Sequence, residues 1–223
     1  GLGLSIVNDR IGIHKNLHML ANYAYHVNIG HDTYLSMGIQ AGFQNRRSDY
    51  LSLIGDLNND PNLRNPRISH TSFDFGAGLY FRTSKFEAGL SLPEIIPQRL
   101  ELNDSLTIEM GNTRYFLFSK YRIPVNDVID VEPSTLIKHL PGLPLSFDLN
   151  MNVVFHEAIT TGVSYRRNES VAFLLKAQIS AQLQLGYAYD HPIDKIARNS
   201  NGSHEMMVSY LFRFIRSGIN SPR

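Results

Sequence analysis

The chain has 223 residues, a formal net charge of +1, and neither cysteine nor tryptophan. That charge gives no broad electrostatic case for binding nucleic acid, and the missing cysteine excludes disulfides and thiolate metal centres. No run of about 18 apolar residues exists to cross a membrane as a helix. The mean hydropathy of −0.18 beside a 43% hydrophobic content still suits membrane β-strands, which dilute lipid-facing residues with polar ones. Any interfacial aromatic belt has to come from the 11 Tyr and 12 Phe.

Twelve strands are predicted in chain order, at 1–7, 16–29, 33–43, 73–82, 86–92, 114–124, 128–139, 145–155, 159–167, 171–179, 182–190 and 204–214. In 16–29 the odd positions Leu17, Met19, Ala21, Tyr23, Tyr25, Val27 and Ile29 are all apolar, whereas the even ones are mostly Asn and His. A two-residue period of this kind marks a strand whose faces meet different solvents. The segment 33–43 sets Leu35, Met37, Ile39, Ala41 and Phe43 against Ser36, Gly38, Gln40 and Gly42. Phe73, Phe75, Ala77, Leu79 and Phe81 likewise oppose Asp74, Gly76, Gly78, Tyr80 and Arg82. The segment 114–124 is less regular, because Phe116 and Phe118 fall on its polar side, and Pro133 predicts a bulge or an early break inside 128–139. The segment 145–155 opposes Leu145, Phe147, Leu149, Met151, Val153 and Phe155 to Ser146, Asp148, Asn150 and Asn152.

Connections near 30–32, 83–85, 125–127, 156–158 and 180–181 are short. They alternate with connections at 8–15, 44–72, 93–113, 140–144, 168–170 and 191–203, several of them long and polar. This is the loop sorting of a transmembrane up-and-down antiparallel β-barrel, with short periplasmic turns and longer outer loops. A soluble β-sandwich or barrel would show similar strands but has no reason to sort its loops. Residues 1–214 are therefore expected to form one outer-membrane barrel, N-terminally incomplete because export requires a leader, and 215–223 a short C-terminal tail. The charges Arg82, Arg114, Lys120, Arg122, Asp148, Arg166, Lys176, Asp190, Glu205 and Arg213 should face the lumen, selecting a solute or cross-linking the interior.

The opening Gly1-Leu2-Gly3-Leu4-Ser5-Ile6-Val7-Asn8-Asp9-Arg10-Ile11-Gly12 resembles an early barrel segment of the PorP/SprF family. Asn22-Tyr23-Ala24-Tyr25-His26, Val131-Glu132-Pro133-Ser134 with Lys138, Pro141-Gly142, Phe147-Asp148-Leu149-Asn150 and Ser164-Tyr165-Arg166 fit the same pattern in order. Leu185 to Asp190 and then Gly202-Ser203-His204-Glu205 through Tyr210 complete it, the last stretch being the most distinctive. The resemblance implies an outer-membrane component of the Bacteroidetes type IX secretion system, a system linked to adhesin export and gliding motility. It further implies two missing strands, hence 14 in the whole barrel. Its partners would be an exported surface protein with a C-terminal sorting domain, other secretion components and outer-membrane lipid. A porin or hydrophobic-solute transporter is the competing function. Asn8, Asp9, Gly12, Glu132, Pro133, Ser134, Gly202, Ser203, His204 and Glu205 are the family-motif positions, with structural or plug contacts as their expected role.

Enzymatic and metal chemistry fits the residues poorly. His14 and His18 have a spacing that suits zinc on a helix, but they fall at a loop–strand junction. Asp56-Leu57-Asn58-Asn59-Asp60 begins like a calcium loop, yet Pro61 stands where such a loop needs Gly and Arg67 replaces the closing Glu. A hydrolase could draw on His26, His156, Ser164 and His204 with Glu205, but no G-x-S-x-G segment accompanies them. No enzyme activity, cofactor or metal is therefore expected. Arg46, Arg47, Tyr50, Leu51 and Leu53 in the 44–72 connection make the best candidate surface for a protein partner.

Overall fold

The computed structural model describes residues 1–49, 67–96, 98–103, 106–110, 113–194 and 200–212, with backbone alone at 67, 98–103 and 106–110. Every described element is a β-strand. These are β1 (Leu2–Ile11), β2 (His14–Gly30), β3 (Thr33–Asp49), β4 (Arg67–Arg82), β5 (Phe86–Leu92), β6 (Gln98–Asn103), β7 (Leu106–Met110), β8 (Tyr115–Tyr121) and β9 (Ile123–Pro124). They continue with β10 (Ile129–His139), β11 (Ser146–Phe155), β12 (Ile159–Arg166), β13 (Ser170–Gln178), β14 (Leu183–Pro192) and β15 (Ser203–Tyr210). Thirteen belong to one antiparallel sheet ordered β1-β2-β3-β4-β5-β8-β10-β11-β12-β13-β14-β15, with β9 paired to β10. Apart from β6 and β7, which pair only with each other, neighbours follow chain order, as in an up-and-down barrel.

All twelve predicted strands are present, and five details differ. The expected connection 8–15 is a two-residue hairpin turn, because Ile11 already pairs with His14. The expected connection 44–72 is strand at both ends, as β3 and β4 stay paired from Tyr34↔Arg82 to Asp49↔Arg67. The connection 93–113 contains the β6–β7 hairpin. The irregular segment 114–124 divides at Arg122 into β8 and β9, whereas β10 runs through Pro133 without an early break.

The chain forms two units, Gly1–Ser119 with Ile137–Leu145, and Lys120–Leu136 with Ser146–Arg223. In the first, register aligns Ile6, Met19, Phe43 and Phe73 in one cross-strand row, and Leu2, Tyr23, Ile39, Ala77 and Leu92 in another. In the second, Met151, Val163, Phe173, Tyr189 and His204 align, as do Val153, Thr161, Leu175, Tyr187 and Met206. These rows make the apolar face of each unit, and that face is open: Phe73 is 72% exposed and Met151 52%.

The opposite face is polar and more enclosed. Gln44 and Asp74 are 2% exposed in the first unit, and Asp148, Ser170 and Glu132 are buried in the second. Among the described residues the only buried hydrophobic side chain is Val154. This inverts the usual distribution, in which charged residues are almost never buried and large apolar patches are covered. Apolar solvent on one face and a polar environment on the other would produce it.

Candidate functional site

In the second unit the polar face carries a charged cluster built by strand register. Asp148 pairs with Arg166, Arg166 with Ser170, and Asp190 with Ser203. Strand alternation then sends all of these side chains to one side. The Arg166 guanidinium is the hub: Nε lies 3.6 Å from Asp148 and 3.5 Å from Glu169, and Nη1 lies 3.7 Å from Asp190. Arg166, Glu169, Asp190, Gly202 and Ser203 border a cavity of about 350 Å³. Gly202 has φ +92°, and a Cβ there would strike the Asp190 carbonyl, so the approach to β15 needs glycine. Two of the motif positions, Gly202 and Ser203, are thus brought beside Arg166 and Asp190.

Glu132 anchors a second cluster in the same unit. Its carboxylate, almost enclosed, accepts a hydrogen bond of 2.8 Å from Arg122 Nε. Arg122 also lies 3.7 Å from Asp130 and 3.8 Å from Glu157. Three carboxylates around one guanidinium brace β10 and the β11–β12 turn through charge-assisted contacts. Pro133 and Ser134 are half-buried next to it in β10.

Within the second unit, Ser164 and His204 of the residues considered for hydrolysis face opposite ways. His204 and Glu205 are successive residues of β15 and point to opposite faces. His204 belongs to the apolar-face row with Tyr189. Its Nδ1 lies 2.6 Å from the Tyr187 hydroxyl, and its ring centroid is 4.9 Å from that of Tyr189. Ser164 faces the other way, aligned with Asn150 and Ala172. His156 occupies the β11–β12 turn, and His26 in the first unit is hydrogen-bonded to Ser36 at 2.7 Å.

In the first unit Asn8 and Asp9 lie in β1, not in a loop, and Gly12 opens the hairpin turn with φ +57°. His14 and His18 both lie in β2, four residues or about 13 Å apart along a strand. His14 contacts Ser48 at 2.8 Å and His18 contacts Gln44 at 2.7 Å, so they share no ligand position. Arg46 and Arg47 are strand residues of β3 on opposite faces, Arg46 half-buried and Arg47 exposed. They therefore cannot contribute together to one flat partner surface. Tyr50, Leu51, Leu53, the Asp56–Pro61 segment and Arg213 lie outside the described residues. Arg10, from the opening motif segment, and Lys15 align with Arg47 across three strands.

A family model described as type IX secretion system membrane protein PorP/SprF matches residues 1–210. The chain belongs to the PorP/SprF family. It is accordingly a type IX secretion system membrane protein, and that membership suggests other components of the system as partners. No curated protein matches the chain. Within this PorP/SprF chain the matched stretch runs from β1 to the last residue of β15, and so includes both charged clusters and the open apolar face.

Proposed function

We propose that this PorP/SprF protein is a β-barrel of the bacterial outer membrane, needed for secretion or cell-surface anchoring of adhesin-like proteins bearing a C-terminal sorting domain. The observation that carries the membrane part is the inverted burial of the sheet: Asp148, Asp74 and Gln44 are enclosed while Leu149, Ile39 and Phe73 are open. An apolar surface of that kind is stable against lipid and unstable in water. Family membership supports the secretion part. The Arg166 and Arg122 clusters support a bracing role for the interior charges, since each cation is already matched by carboxylates on neighbouring strands.

Cargo recognition would fall to the connections between β3 and β4 and between β5 and β8, with Arg46, Arg47, Tyr50, Leu51 and Leu53 as proposed contacts of the first. Loops on a rigid scaffold are where recognition usually sits. Arg46 and Arg47 would then engage different surfaces. Trimming residues 50–66, which leaves the β3–β4 ladder intact, should release cargo into the medium or trap it inside the cell. Cargo that stayed surface-bound after both this segment and 93–113 were trimmed would refute loop-mediated capture. Large, open single-channel conductance by the full-length protein would point to a porin instead.

A further inference from the structure

The apolar face of the first unit ends in a row of cations. Reading up β3 on that face, the side chains are Leu35, Met37, Ile39, Ala41, Phe43, then Asn45, then Arg47. The apolar part spans about 26 Å of strand, close to the height of a barrel's lipid-facing band. Register sets Asn8, Leu17, Asn45 and Thr71 immediately beyond it, with Asn45 Nδ2 donating to Thr71 Oγ1 at 2.6 Å. One step further come Arg10, Lys15, Arg47 and Ser69. With strands about 4.8 Å apart, the three basic residues stand side by side across roughly 10 Å.

All three are exposed, and among the described residues none is in an ion pair. Arg47 Nε donates to Asn45 Oδ1 at 2.9 Å, which holds the guanidinium against this face. The three cations border a cavity of about 530 Å³, together with Ser48, Ser69, the Gly12–Ile13 turn and one carboxylate, Asp49. Asp9 and His14 are turned to the opposite face by strand alternation. Among the described residues lining this cavity, cations therefore outnumber the carboxylate three to one at the end of the apolar band.

We propose that Arg10, Lys15 and Arg47 form a binding site for the phosphate groups of an anionic membrane lipid, whose acyl chains lie along the apolar rows below. Charge complementarity selects the phosphate, and the adjoining band of Leu, Met, Ile and Phe selects an acylated carrier over a free anion. Guanidinium and ammonium groups near a membrane surface each add to lipid affinity, and guanidinium forks match phosphate oxygens. This site rests on the membrane-spanning reading proposed above. With the β1–β2 hairpin directed outside the cell, the lipid would be that of the outer leaflet.

The test uses the full-length protein reconstituted in phosphatidylcholine vesicles with and without diphosphoryl lipid A. Flotation reports insertion, and native mass spectrometry after mild detergent extraction reports retained lipid A. The unaltered protein should float and retain lipid A. The variant combining Arg10→Gln, Lys15→Gln and Arg47→Gln should float equally well but bind lipid A on the order of a hundredfold more weakly. Arg46→Gln, on the opposite face, should leave binding unchanged. Equal retention by the triple variant would overturn the site while leaving insertion intact. Displacement of lipid A by inorganic phosphate alone would make it a small-anion site and overturn the lipid assignment. Failure of the unaltered protein to float would overturn the membrane-spanning proposal, and the lipid site with it.

Discussion

Asp148 and Leu149 are successive residues of β11, and the carboxylate residue is 7% exposed while the leucine is 49% exposed. In a water-soluble sheet the order would be reversed. A buried carboxylate without partners is costly, and here Arg166 lies 3.6 Å away to offset that cost. The pair condenses the organisation of the whole sheet into two residues.

Charge should be tolerated on only one side of this strand. Leu149→Arg is expected to destabilise the protein by about 2–4 kcal/mol if Leu149 lies near the bilayer midplane. Asn150→Arg, one residue on and on the polar face, should cost far less. Equilibrium unfolding from reconstituted vesicles would compare them, and equal losses would argue against two solvents.

Removing the hub of the charged cluster should be felt through its partners. Arg166→Gln leaves Asp148 enclosed beside a neutral side chain, for an expected loss of about 1–3 kcal/mol. The Arg166 side chain as a whole is 38% exposed, which holds the effect toward the lower end. Adding Asp148→Asn should recover part of that loss. A double-mutant cycle in the same unfolding assay measures the coupling, and strict additivity would mean the contact contributes nothing.

Two glycines with positive φ should respond differently to asparagine. Gly12 has φ +57°, and nothing lies within 4 Å of the place a Cβ would take, so Gly12→Asn should cost about 1 kcal/mol at most. At Gly202, φ is +92° and the Asp190 carbonyl occupies the space a side chain needs. Gly202→Asn should therefore lose about 1–3 kcal/mol. Heat-modifiability on gels would rank the two variants.

Topology can be read with single cysteines, since the chain has none of its own. The turn at Ile13 and the turn at Ser84 lie at opposite ends of the first unit, because His14 pairs with Ser48 whereas Arg82 pairs with Tyr34. With the hairpin outside the cell, Ile13→Cys should react with an impermeant maleimide on intact cells and Ser84→Cys should not. The reverse pattern would invert the proposed orientation.

The strands that cross between unlike solvents were legible from the sequence by itself, because a period of two appears wherever one face is apolar and the other polar. Residues 16–29, 33–43 and 145–155 announce themselves in this way, and the enclosure of Asp74 and Asp148 follows from the same alternation. The signal disappears where both faces meet water. Asn45, Arg46, Arg47 and Ser48 resemble a polar loop in sequence, yet they continue β3, since a backbone ladder needs no hydrophobic contrast. Only tertiary structure decided that Arg10 and Lys15 stand beside Arg47, because register depends on the two-residue turn at Gly12–Ile13 and a one-residue slip would move each side chain to the other face. It also decided that His204 joins Tyr187 and Tyr189 while Glu205 does not, and that Arg166 serves Asp148 and Asp190 together. Alternation assigns a side chain to a face, but its neighbours along that face are set by the register in which successive strands pair.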